Sequence, residues 1–160
     1  MYIPFDELPP QARLWIYQAN RALSAQEQDE IKPLLERFAT EWSSHGKGLQ
    51  ASAGLLHDRF LVIGNNESAT AASGCSIDAS VRFVRELEQR LGVSFFDRSH
   101  LAFLEEGEVI TVPLTEMKTK VASGNINKDT LYFDILVNNF EELQQAWPKP
   151  AGSSWLAKYF

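Results

Sequence analysis

Read from its sequence alone, the chain is an α+β domain: a mixed or antiparallel sheet with helices packed on it. Three observations predict this. Short runs rich in branched and aromatic residues, such as Arg13-Leu14-Trp15-Ile16-Tyr17-Gln18-Ala19, alternate with segments whose apolar residues recur at helical spacing. Two pairs of strand-like runs sit close enough to form hairpins. The order strand, helix, hairpin, helix in the first half matches a split βαβ, ferredoxin-like pattern.

The elements follow in order. Residues 1–10 carry three prolines and predict an extended arm whose Tyr2, Ile3 and Phe5 dock on the body. Residues 13–19 are apolar on both faces and predict a central strand. Ser24-Ala25-Gln26-Glu27 matches a capping box, and Ile31, Leu34, Leu35, Phe38 and Trp42 share one helical face to about Ser43. Pro33 inside that helix predicts a bend or a restart near Glu30. His45-Gly46-Lys47-Gly48 ends it, with His45 as a helix-end cap.

Residues 49–56 and 59–63 read as antiparallel strands joined at His57-Asp58. A second helix follows, with Ile77, Val81, Val84, Leu87 and Leu91 spaced four, three, three and four apart and Gly92 as its stop. Residues 101–104 and 109–112 form another hairpin turning at Gly107. Pro113 opens a short helix through Val121, and 131–137 alternate as a strand with Leu131, Phe133, Ile135 and Val137 inward. A helix from Glu141 to Trp147 and an aromatic tail from Trp155 to Phe160 complete one domain over residues 1–160.

Composition narrows the function classes. With Lys+Arg 15 against Asp+Glu 21, the net charge of −6 repels nucleic acid and anionic lipid at long range. No apolar run approaches the roughly 20 residues of a membrane span. The start lacks the basic and apolar regions of a signal peptide, and one cysteine forms no internal disulfide, so a cytoplasmic location is expected. Cys75 and three scattered histidines do not make a zinc site, and no cofactor is implied.

The sharpest chemical signal is Ala72-Ser73-Gly74-Cys75-Ser76-Ile77-Asp78 at the start of the second helix. With Ser76 as N-cap, Cys75 would stand just outside the helix, where the dipole lowers a thiol's pKa. A nucleophile also needs a base, for which His45, His57 and His100 are the candidates. The same turn offers an anion the side chains of Ser73 and Ser76, the backbone amides around Gly74 and Cys75, and Arg82 as donors, although Asp78 competes for the same dipole. Against these stands the structural role of a free cysteine as a small core hydrophobe.

A P-loop is excluded, because Glu41 stands where its first glycine belongs and Gly48 where Ser or Thr would hold magnesium. The leading expectation is a non-catalytic cytoplasmic binding or interaction protein. The alternatives are a thiol-dependent enzyme or redox sensor using Cys75, and a sensor of small anions at the helix start. The partner expected is accordingly a protein or a small anionic ligand.

Two resemblances accompany this reading. Arg59-Phe60-Leu61-Val62, residues 72–84 and the ending Trp155-Leu156-Ala157-Lys158-Tyr159-Phe160 together resemble a family of small Bacteroidetes proteins of no assigned activity, often labelled "ABC transporter ATPase". That resemblance covers the whole chain, and without a P-loop the label carries no activity over. Residues 109–147, with Leu114-Thr115-Glu116-Met117-Lys118, Val121, Gly124, Ile126 and Thr130-Leu131-Tyr132-Phe133, look like the helix-turn-strand of GYF-like modules. That likeness implies recognition of proline-rich peptides through aromatic residues.

Overall fold

The structure, a computed structural model, describes residues 1–160. It is a mixed α+β fold in which helices pack on antiparallel sheets. One sheet, sheet A, has the order β1-β5-β4, built from β1 (Arg13–Gln18), β4 (Ala51–Leu56) and β5 (Phe60–Asn65). β1 pairs antiparallel with β5, Arg13 opposite Asn65 and Gln18 opposite Phe60. β4 also pairs antiparallel with β5, so β1 and β4 run parallel on either side of it, joined through the helix of residues 25–41.

β1 lies at an edge of this sheet rather than at its centre. Its two apolar faces have another cause: both sides of the sheet are covered. Leu61 and Ile63 join the core beneath α1 (Ala25–Glu41) and α2 (Gly74–Leu91). Phe60 and Val62 point the other way, onto Ala102, Phe133 and Phe140. All six residues of β5 are therefore buried.

The second sheet, sheet C, has the order β7-β6-β8-β9: β6 (His100–Glu105), β7 (Glu108–Pro113), β8 (Leu131–Tyr132) and β9 (Lys149–Pro150). Ala102 faces the first sheet, while Leu101 and Phe103 face a third core with Met117, Tyr132 and Leu156. The layers run α1 and α2, sheet A, sheet C, then α3 (Met117–Ala122) and the C-terminal tail. α4 (Phe140–Gln145) closes the middle core.

Local rules explain most boundaries. Ser24 caps α1 and Glu27 reaches back to it, as the capping box requires. The helix then runs unbroken through Pro33. That proline is exposed, so the carbonyl of Asp29 that it leaves without a partner stays on the solvent side. α1 ends at Glu41, and His45-Gly46 does not cap it. These residues turn a small hairpin between β2 (Ser43–Ser44) and β3 (Lys47–Gly48), with φ of 50° and 79°. Gly92 ends α2 at φ 65°.

Residues 131–137 depart from the alternation read in the sequence, and the strand stops at Tyr132. Asp134 bends the chain away: its Oδ1 accepts the Leu136 N–H at 2.9 Å and its carbonyl accepts the Trp147 Nε1–H at 3.1 Å. Lys149 Nζ lies 3.4 Å from its other carboxylate oxygen. Leu131 and Leu136 are consequently exposed. The aromatic tail coils into a 3-10 helix, Trp155–Tyr159, that buries Leu156 and donates the Trp155 Nε1–H to the Tyr132 hydroxyl.

Candidate functional site

The start of α2 is a closed cap, three residues earlier than expected. Ser73, not Ser76, is the N-cap. Its Oγ accepts the Ser76 N–H at 3.1 Å, and Ser76 Oγ accepts the Ser73 N–H at 3.2 Å. Ser76 Oγ also donates to the carbonyl of Ser43 at 2.7 Å, tying the helix to the small hairpin. Both hydroxyls offered to an anion are thus engaged inside the protein.

Cys75 falls in the first turn of the helix instead of before it, exposed and free. No histidine bonds to its sulfur. His45 stands in the β2–β3 turn; His57 tips the β4–β5 hairpin at φ 51°, its ring 4.9 Å from Phe133 and 5.9 Å from Trp147. His100 opens β6 with Nδ1 2.9 Å from Ser99 Oγ. With a single exposed cysteine, no second thiol and no histidine bonded to it, the thiol-dependent enzyme or redox sensor is overturned. Asp78 is exposed, and no three His, Cys, Asp or Glu side chains gather to hold a metal.

His100 edges a polar cleft of about 270 Å³ lined also by Gln18, Asn20, Asp97 and Thr111. Ser99 Oγ gives its proton to Asp97 Oδ1 at 2.6 Å, so Nδ1–H of His100 is the donor to Ser99. The Ser99 hydroxyl, then its N–H, hold the Asp97 carboxyl below its ordinary range. The cluster spans neighbouring residues and is exposed, an Asx-type turn in form.

The larger concavity lies elsewhere, between the outer sides of α1 and α2. The two helices run antiparallel, with Arg90 3.3 Å from Glu30 near one end and Trp42 Nε1–H donated to the Ser76 carbonyl at the other. Between those ends is an open groove of about 720 Å³. Phe38 and Phe83 make its floor, stacked face to face with ring centres 4.4 Å apart and planes 5° apart. Leu34 and Leu87 extend the apolar strip, and Arg37, Glu41, Glu86 and Arg90 stand on the rim. A second hollow of about 320 Å³ continues it past Trp42 and Ala79, and Arg82 lines this part. Arg82 thereby serves the groove rather than the turn at Cys75.

The sequence pattern puts Leu34 and Phe38 on the apolar face of the first helix and does not single out Phe83. One signal was available: Phe83 adjoins the Val84, Leu87, Leu91 stripe without belonging to it. An aromatic residue beside a buried stripe stays half-covered unless another element reaches it. No protein-family model, no curated protein and no solved structure matches this chain.

Proposed function

We propose that this protein is a protein-binding module whose α1–α2 groove receives the apolar face of an amphipathic helix from a partner. The observation that carries this is the Phe38–Phe83 stack, half-buried at the floor of a groove whose rim bears charges of both signs. Two antiparallel helices with an apolar furrow between them offer a third helix the ridge-and-groove surface on which helices pack. From Ala79 to Arg90 the furrow covers roughly 16 Å at 1.5 Å per residue, three turns of a partner helix. That length suits anchors at i, i+3, i+4 and i+7 better than a compact small molecule.

A stapled amphipathic helix with leucine on one face over lysine and glutamate is the probe. Its addition is expected to shift the NMR signals of Leu34, Phe38, Phe83 and Leu87. Phe83→Glu and, separately, Phe38→Glu, each checked for native circular dichroism, should weaken binding by about tenfold or more. Shifts confined to another surface, wild-type affinity in both variants, or equal binding by a permuted non-helical peptide would each overturn the proposal.

A further inference from the structure

Sheet A ends on β4, and the parity of its ladder decides where the main-chain groups point. Ser52, Gly54 and Leu56 bond toward β5. Ala51 points outward: its N–H donates to the Met1 carbonyl at 3.0 Å, and its carbonyl accepts the Ile3 N–H at 2.7 Å. The period of two puts the N–H and C=O of Ala53 and Leu55 on that same outer edge. The N-terminal arm leaves the lane at Pro4 to form a 3-10 helix over Phe5–Glu7, and no group of the chain replaces it beside Ala53 and Leu55.

The two outer edges of the sheets differ in a telling way. β7 is guarded by Glu108 at one end and by Pro113, which has no N–H, at the other. β4 offers Ala53-Gly54-Leu55, uncharged and unguarded. Beside these residues lies a hollow of about 310 Å³ with apolar walls from Tyr2, Phe5, Ile31 and Leu35. Its rim holds Asp29 and Glu36 against a single Lys32. Burial, and after it the charges of Glu36, Asp6 and Glu7, raise the Tyr2 phenol above its ordinary value, which marks this surroundings as acidic.

We infer that the free edge of β4 takes up an extended segment of a partner protein by strand addition, with an apolar side chain in the Tyr2–Phe5 hollow and a lysine or arginine facing Asp29 and Glu36. The backbone groups of Ala53 and Leu55 supply hydrogen bonds to any sequence, and the hollow and its carboxylates select among sequences. Alternation along the incoming strand brings every second side chain to the hollow. This surface is on the opposite side of α1 from the Phe38–Phe83 groove, so the two proposals stand or fall separately.

Amide exchange read by NMR tests it. In the free protein the amides of Ala53 and Leu55 should exchange faster than those of Ser52, Gly54 and Leu56. A heptapeptide of alternating valine and lysine should then slow Ala53 and Leu55 by about tenfold or more. A valine and glutamate peptide of equal length should bind about tenfold more weakly, as should the valine and lysine peptide to Asp29→Lys/Glu36→Lys. Phe83→Glu should leave this binding unchanged. Unslowed exchange at peptide saturation, or undiminished affinity in the charge-reversed variant, overturns the inference. So does protection that grows with protein concentration without peptide, which would assign the edge to a second copy.

Discussion

Replacing Ser76 by alanine separates a structural cap from a ligand-binding turn. The substitution removes the acceptor for the Ser73 N–H at 3.2 Å and the donor to the Ser43 carbonyl at 2.7 Å, at a residue only 2% exposed. The bond to Ser43 matters more, since it is the shorter of the two and ties the helix to a segment 33 residues away. Together the two losses amount to about 2–3 kcal/mol. Alanine's better helix propensity returns up to about 0.5 kcal/mol, leaving a cost of roughly 2 kcal/mol. For a chain of this size that corresponds to a fall in Tm of about 4–8 °C. Urea unfolding followed by circular dichroism gives the same quantity as a lower midpoint at unchanged slope. Ser73→Ala should cost about 1 kcal/mol, and Cys75→Ala, at an exposed position, should stay within about 0.5 kcal/mol of wild type. The double variant should be less destabilised than the sum, because the two hydroxyls lie 2.8 Å apart and share their partners. A Ser76→Ala cost below about 0.5 kcal/mol, or a Cys75→Ala cost exceeding it, would refute the cap as the role of this turn.

Two further outcomes follow from the packing and the electrostatics. Gly64→Ala places a Cβ 2.7 Å from Leu8 Cδ1 and 3.1 Å from Leu14 Cδ2, in a strand covered on both faces, and overpacking there should cost about 1–3 kcal/mol by urea unfolding. A neutral result would mean that Leu8 can move aside freely. Glu27 is held at about 2, below its ordinary 4.5, first by the Arg21 guanidinium and then by the Ser24 N–H. Its contribution to stability is therefore complete above the ordinary value and lost as pH falls toward the folded one. Glu27→Gln keeps the capping geometry and should flatten the acid side of the stability profile between those values, while a profile parallel to wild type would contradict the assignment.

Much of the secondary structure was legible because its causes are local. Ser24 and Glu27 cap α1 across three residues; Gly92 and Gly107 adopt the left-handed conformation where a helix or hairpin must turn; the α2 stripe of Val84, Leu87 and Leu91 is buried as its spacing indicates. The same locality explains two misreadings. Ser73 and Ser76 both suit an N-cap, and only the bond from Ser76 to Ser43, far along the chain, selects between them. Asp134 looked like one outward residue of an alternating strand, until Trp147 and Lys149 approached it from a distant segment.

By itself, then, the chain's order of residues determined where α1 begins, where Gly92 and Gly107 reverse the chain, and that Val84, Leu87 and Leu91 avoid water. Tertiary structure alone decided that β1 lies against β5 at an edge, that a second sheet covers the first, that Cys75 is exposed with no hydrogen bond to a histidine, and that Phe38 meets Phe83. The reason is physical. Caps and turns are settled by hydrogen bonds within a few residues, whereas an apolar side chain is equally content against any apolar neighbour, so the choice among partners rests on how the whole molecule fills its interior.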